Sequence, residues 1–207
     1  MFKRIAHELE HHAPFTAIGA VTGIIIIMII VISNSLPQVS QASQTVFYIL
    51  HPLHVALSAF VTASIYRKHG KDKIWAVILV GYFGSIGIAT ISDSVIPYLG
   101  EMLLDLPNRG IHIGFIEEWR IVNPAALIAI AITFWKPYSK LPHFGHVLLS
   151  TWASSFHVIM ALGVMINWTT FLVIFLFLFL AVWVPCCTSD IVFPMLSTGE
   201  RLSPQRI

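Results

Sequence analysis

Long apolar runs without charge constrain this chain more than any other feature of its sequence. Residues 17–32 and 171–184 contain no charged side chain. The 207 residues are 57% hydrophobic and 11% charged, with a mean hydropathy of +0.81, whereas a soluble domain carries roughly a quarter charged residues. Too few polar residues remain to cover such runs in water. The sequence therefore predicts an all-α, polytopic membrane bundle that forms one domain over residues 1–207.

Six apolar segments lie between charged or Pro/Gly-rich breaks, and each is long enough to cross a bilayer. The predicted spans cover residues 15–34, 46–66, 74–97, 112–135, 142–165 and 168–194. The polar stretch 38–44 is predicted to be a loop. The strictly apolar part of the fourth span, residues 125–135, covers only about 16 Å. Residues 111–120 are therefore also expected at membrane depth, as helix or re-entrant turn, with a break near Pro124.

The basic residues are distributed unevenly between the two ends of the predicted spans. Ten of the twelve Lys and Arg residues lie on one side, and only Arg109 and Arg120 lie opposite. Since cytoplasmic loops carry an excess of these residues, both termini are predicted to be cytoplasmic. The net charge of +2 leaves no basic surface for nucleic acid. The expected partners are the lipid bilayer and a metal ion, and the glycines of the third span are also compatible with a homo-oligomer.

Ligand-type side chains gather near the outer ends of the spans. His51 and His54, three residues apart, lie on one side of a helix. Ionisable groups within spans are costly, so several at a similar depth indicate a metal or proton site. Imidazole and carboxylate together suit a transition metal, with zinc or iron favoured. The predicted metal ligands are His51, His54, Asp93, His157, Glu117 and Glu118.

A second, weaker set of ligand-type residues lies at the cytoplasmic edge. It combines thiols, imidazoles and a carboxylate, which together favour a transition metal over magnesium or calcium. Its members are His11, His12, His143, His146, Cys186, Cys187 and Asp190. The alternative is that the histidines are simply interfacial and that the cysteines are small buried apolar residues.

Three functions are compatible with these residues. Movement of a divalent metal ion across the membrane is favoured, because the fifth span carries members of both sets and transport needs a site at each end. The first alternative is an intramembrane metal-dependent hydrolase of lipid-like substrates, with its metal on His51, His157 and Asp93 or a glutamate. The second alternative is a b-type haem electron-transfer protein with pairs such as His54 and His157 as axial ligands.

The hydrolase alternative is supported by a limited analogy. A histidine on the second span, His51 or His54, with Asp93 on the third is similar to the arrangement in the membrane ceramidase and adiponectin-receptor group. The paired histidines of that group's last span have no counterpart in the sixth span of this chain. The resemblance therefore implies a shared type of metal chemistry and not membership of the group.

Overall fold

The computed structural model describes residues 2–68, 73–135, 141–163 and 167–187. Within these ranges, the side chains of residues 2–8, 11, 12, 141–144 and 187 are not described. The described residues form helices and no strand. The elements are α1 (Phe2–Ile32), α2 (Leu36–Lys68), α3 (Ile74–Thr90), a π-helical turn (Ile91–Val95), α4 (Ile96–Leu103), α5 (Gly114–Glu117), α6 (Trp119–Ile132), α7 (Leu141–Ala161) and α8 (Trp168–Cys187).

Four of the helical stretches are long and apolar enough to cross a membrane. They cover Ala13–Ile32, Leu36–Lys68, Ile74–Leu103 and Trp168–Cys186. The apolar helix α6 is shorter, and α7 is 21 residues long but rich in Ser, Thr and His. The prediction of an all-helical membrane protein is thus confirmed at this coarser level.

Two predicted boundaries are wrong. Residues 38–44, predicted as a loop, are helical and belong to α2. In this stretch the Ser43 hydroxyl donates to the Val39 carbonyl, 2.7 Å away, so the polar side chain is satisfied within the helix. The third span also does not end at residue 97, because the helical path continues through α4 to Leu103. Pro97 lies in the first turn of α4, where a missing N–H costs little.

The break in the fourth segment lies earlier than predicted. Helix α6 passes through Pro124, and the interruption is at Glu118, whose backbone angles of φ −117° and ψ 44° separate α5 from α6. Asn123 is held from both sides: its side chain accepts from the Tyr82 hydroxyl (3.1 Å) and donates to the Phe115 carbonyl (3.5 Å). Residues 111–118 therefore form a short non-helical stretch and the four-residue helix α5 before α6 begins at Trp119.

Helix α2 lies at the centre of the bundle, where it packs along α7 and against α3 and α6. Helices α1 and α8 pair with each other and cover α7. The contact between α1 and α7 depends on small residues, since a Cβ added to Gly19 would lie 2.7 Å from Thr151 Oγ1 and one added to Gly23 would lie 2.4 Å from Ser155 Oγ. This close approach is typical of helices that pack within membranes.

The polarity of the bundle runs from apolar outside to polar inside. Large apolar side chains face outwards, such as Ile29 on α1 and Leu172 on α8. The interior contains hydroxyls, imidazoles and two carboxylates that are essentially fully buried. Polar groups within a bilayer lie in the bundle interior when they have a function or a partner there. The buried polar residues are therefore the candidates for a functional site.

Candidate functional site

The π-helical turn in the third long helix places Asp93 in the interior. Ser92, Asp93 and Ser94 are all buried, with no measurable exposure. A π turn inserts an extra residue into a helix and is frequent at functional sites. The extended path of this helix also puts Asp93 ten residues from its end at Leu103, roughly 15 Å along the axis. Asp93 is thus farther from the end of its helix than the predicted span, which ended at residue 97, implied.

Four side chains hold the Asp93 carboxylate. His51 Nδ1 and His54 Nδ1 lie 2.9 and 2.7 Å from Oδ2. The hydroxyls of Ser92 and Ser150 each donate to Oδ1 over 2.7 Å. All five residues have no measurable exposure. We call this group, comprising His51, His54, Ser92, Asp93 and Ser150, the Asp93 centre.

Helix α7 stabilises the π turn from the opposite side. The Ser154 hydroxyl lies 3.0 Å from the Ser92 carbonyl, one helical turn along from Ser150. A π turn disturbs the regular ladder of backbone hydrogen bonds, so a side-chain donor at this point satisfies a carbonyl that would otherwise be costly to bury. Ser94 donates to the His112 carbonyl and ties the same turn to the loop before α5. The π turn that carries Asp93 is therefore held by α7 through the Ser92 carbonyl and by the loop before α5 through the Ser94 hydroxyl.

The two histidines of the Asp93 centre present their Nε2 atoms to different surroundings. His51 Nε2 is buried and has no hydrogen-bond partner among the described residues. It lies against Gly114, where an added Cβ would be only 2.6 Å away. His54 Nε2 lies 3.9 Å from Cys186 Sγ, which in turn lies 3.8 Å from Ser150 Oγ. The His146 ring stacks on His54 with centroids 5.9 Å apart.

His157 does not join the Asp93 centre and instead pairs with Glu101. Its Nδ1 atom lies 2.7 Å from Glu101 Oε1, and both residues are 1% exposed. Glu101 Oε2 also accepts from the Gly110 backbone N–H over 3.3 Å. His157 was predicted at the depth of His54, but its ring contacts Phe47, two turns earlier on α2. Glu101 was not among the predicted site residues, because nothing in the sequence shows that α4 continues the third span.

Glu117 and His112 lie at the exposed end of the same region. Glu117 accepts from the Tyr48 hydroxyl, the Ile113 N–H at 2.9 Å and His112 Nδ1 at 3.4 Å. The Arg120 guanidinium lies over the Trp119 ring.

Glu118 is not brought to either buried carboxylate. It lines an open surface pocket together with Glu117, Trp119 and Arg120. Its predicted role as a metal ligand stays a prediction.

Two residues of the predicted cytoplasmic set lie next to a residue of the predicted outer set. Cys186 and His146, which were predicted to belong to a separate cytoplasmic site, lie beside His54. The other inner predictions fall outside what the structure describes, namely the side chains of His11, His12, His143 and Cys187, and Asp190 entirely. Cys186 and His146 therefore belong to the same polar interior as the Asp93 centre.

The imidazoles follow the axis of α2. His112 and His157 lie near Phe47, His51 follows one turn later, and His54 and His146 come after it. From Phe47 to His54 this path covers about 10 Å. We call His112, His157, His51 and His54 the histidine line.

The ligand-type residues are spread along this line rather than gathered at one point. Within the described ranges, no group of three or more His, Cys, Asp or Glu residues is close enough to hold one metal ion. The haem and hydrolase alternatives stay predictions. An axial haem iron on His54 Nε2 would need more space than the 3.9 Å to Cys186 Sγ provides.

Comparison with known proteins adds no family or fold assignment. No family model, no curated protein and no solved structure matches the chain. Any function proposed for this chain therefore rests on its own residues and their geometry.

Proposed function

We propose that the protein moves a divalent transition-metal ion across the membrane along the histidine line. The observation that carries this proposal is the Asp93 carboxylate, which holds Nδ1 of both His51 and His54 inside a long apolar bundle. The favoured ions are Zn²⁺ and Fe²⁺, because neutral imidazole with carboxylate and thiol donors suits them.

The anchoring of the imidazoles supports metal as the cargo. Histidines that ligate metals almost always donate their other ring nitrogen to a carboxylate or carbonyl, which fixes the ring and raises its basicity. His51, His54 and His157 all have Nδ1 on a buried carboxylate, leaving Nε2 as the available ligand atom. The 3.9 Å between His54 Nε2 and Cys186 Sγ is also near the separation of about 3.6 Å expected for N and S ligands on one tetrahedral zinc ion.

The charge of the interior favours a cation. Asp93 is buried among imidazole and hydroxyl donors, which are neutral when the histidines are unprotonated. A carboxylate without a positive partner is expensive at such a place. A passing cation, or a proton on one imidazole, would stabilise it. We favour the metal ion because two buried Nε2 atoms, those of His51 and His157, have no hydrogen-bond partner among the described residues.

The spacing of the ligands supports movement rather than storage. Conduction requires sites that bind well enough for an ion to enter and weakly enough for it to leave. A path that offers one or two protein ligands at each step, with water completing the shell, meets this requirement. A closed site of four protein ligands would instead be typical of a structural metal.

The proposal includes a topology. The four apolar helices, α7 and the α5–α6 segment would together make the six spans, with both termini in the cytoplasm as the Lys and Arg distribution predicts. The end with Glu117 and His112 would then face outwards, and Cys186 would lie on the cytoplasmic side of the Asp93 centre. Ions would therefore pass from His112 towards Cys186.

Uptake into proteoliposomes tests the proposal. Full-length protein in vesicles that contain a zinc-sensitive dye should admit Zn²⁺ faster than protein-free vesicles, and Asp93→Asn should reduce the initial rate by at least about tenfold. Tyr82→Phe, which removes a hydrogen bond to Asn123 away from the line, is the matched control and should leave the rate unchanged. Zn²⁺ uptake equal in Asp93→Asn and wild type would exclude the proposal. Acidification of the vesicles without Zn²⁺ uptake would show that the cargo is the proton.

A further inference from the structure

His157 has a buried ligand atom that the Asp93 centre does not use. The residue is 1% exposed, its Nδ1 is held by Glu101, and its Nε2 has no hydrogen-bond partner among the described residues. Burying such an acceptor without a partner is unfavourable. The carboxylate fixes the His157 ring, and the buried Nε2 atom is free of protein hydrogen bonds among the described residues. This combination is typical of a histidine that binds a metal ion.

His112 lies beside His157 at a distance that fits a shared ion. The two ring centroids are 5.3 Å apart and the rings are inclined by 69°. Two imidazoles on one tetrahedral ion, each with an N–metal bond of about 2.1 Å, have centroids about 5.2 Å apart. His112 Nδ1 also faces a carboxylate, that of Glu117, at the longer distance of 3.4 Å. A Cβ at Gly110 would lie 3.4 Å from His112 Nε2 and would crowd this side of the ring.

The charges around the two rings are suited to a dication. Glu101 and Glu117 supply two carboxylates, one fully buried and one partly exposed. The two arginines of this end are engaged with other residues, Arg109 with Asp105 and Arg120 with the Trp119 ring. A divalent ion on the two imidazoles would therefore be balanced by the two carboxylates behind them.

We propose that His112 and His157 form a second metal site, separate from the Asp93 centre, for a divalent ion of the class that prefers imidazole nitrogen, such as Zn²⁺ or Co²⁺. Glu101 and Glu117 are positioning residues that fix the rings, and water completes the coordination shell. His112 is the partly exposed member through which an ion reaches the site. The site exists independently of transport, but its role as the first stop for the ion rests on the proposed function.

Titration with Co²⁺ alone tests this site. Full-length protein in nanodiscs should show the d–d absorption of tetrahedral cobalt with nitrogen and oxygen ligands. His112→Ala, at a partly exposed position, should weaken Co²⁺ binding at least tenfold without unfolding the protein. Glu101→Gln should weaken it about 10–100-fold and change the cobalt spectrum, because a neutral amide oxygen holds His157 Nδ1 less strongly than the carboxylate does. The control Tyr82→Phe should leave binding and spectrum unchanged.

The outcomes separate this proposal from the proposed function. Co²⁺ binding as tight in His112→Ala as in wild type would overturn the second site. A cobalt spectrum dominated by a thiolate charge-transfer band, lost in Cys186→Ser and retained in His112→Ala, would also overturn it by placing the ion at His54 alone. If His112→Ala abolishes the cobalt signal while wild-type vesicles take up no metal, the second site is supported and the transport proposal fails.

Discussion

The Asp93 centre and the Glu101–His157 pair use the same chemistry on two different supports. In both, a buried carboxylate on the third long helix accepts from histidine Nδ1. The Asp93 centre is built entirely from helices, with a π turn and four side-chain donors. The Glu101 carboxylate accepts from one histidine, His157, and from one loop N–H, that of Gly110. The Asp93 centre is therefore fixed by helix packing, and the Glu101–His157 pair depends also on the loop that precedes α5.

Removal of the Asp93 carboxylate should have the largest effect on stability. Asp93→Ala leaves two imidazole and two hydroxyl donors buried without their acceptor, and breaking such a network by removing one partner costs about 3–5 kcal/mol. Thermal unfolding in detergent should show a clear fall in the midpoint. A midpoint unchanged from wild type would mean that the four donors have other partners, and the Asp93 centre would not be the tighter group.

Gly114→Ala should disturb the boundary between the two groups. The new Cβ would lie 2.4 Å from His51 Cδ2, so the ring or the loop must move, at a cost of about 1–3 kcal/mol. Gly87→Ala is the matched control, because a Cβ at Gly87 meets nothing within 4 Å. We expect the melting midpoint to fall for Gly114→Ala and to stay the same or rise for Gly87→Ala. Equal midpoints for the two variants would contradict the close approach of the loop to His51.

Glu101→Gln should have a smaller effect on stability than Asp93→Ala. The amide retains an oxygen that accepts from His157 Nδ1, so we expect a loss of about 1 kcal/mol. Chemical or thermal unfolding of both variants side by side measures the difference. If Glu101→Gln proves as costly as Asp93→Ala, the contrast between the two supports is wrong.

The part of the fold that could be predicted is the part that helix periodicity and hydropathy describe. The apolar runs predicted a helical membrane bundle, and four apolar helices confirm this in outline. His51 and His54 were predicted on one side of a helix and, with Asp93, among the ligands of one site, and the structure brings these three side chains together. The spacing of three residues places the two histidines on the same side of α2.

The parts that could not be predicted depend on irregular structure. Pro97 indicated the end of a span, whereas the π turn before it lets the helix continue and brings Glu101 into the interior. His112 and Gly110 reach Glu101 and His157 through a loop that has no periodicity to interpret. Likewise, nothing in the sequence indicates that Cys186 lies against His54, since that contact is set by how α8 packs on α2 and α7.

Zinc uptake by a variant without the imidazoles of His51 and His54 tests whether ions pass along the histidine line. In the double variant with His51→Gln and His54→Gln, each glutamine keeps an N–H that can donate to Asp93 but offers no imidazole Nε2 as a ligand. We predict that vesicles containing this variant take up Zn²⁺ no faster than protein-free vesicles, while the protein remains folded by thermal unfolding. Zn²⁺ uptake at the wild-type rate would contradict the claim that ions pass along the histidine line.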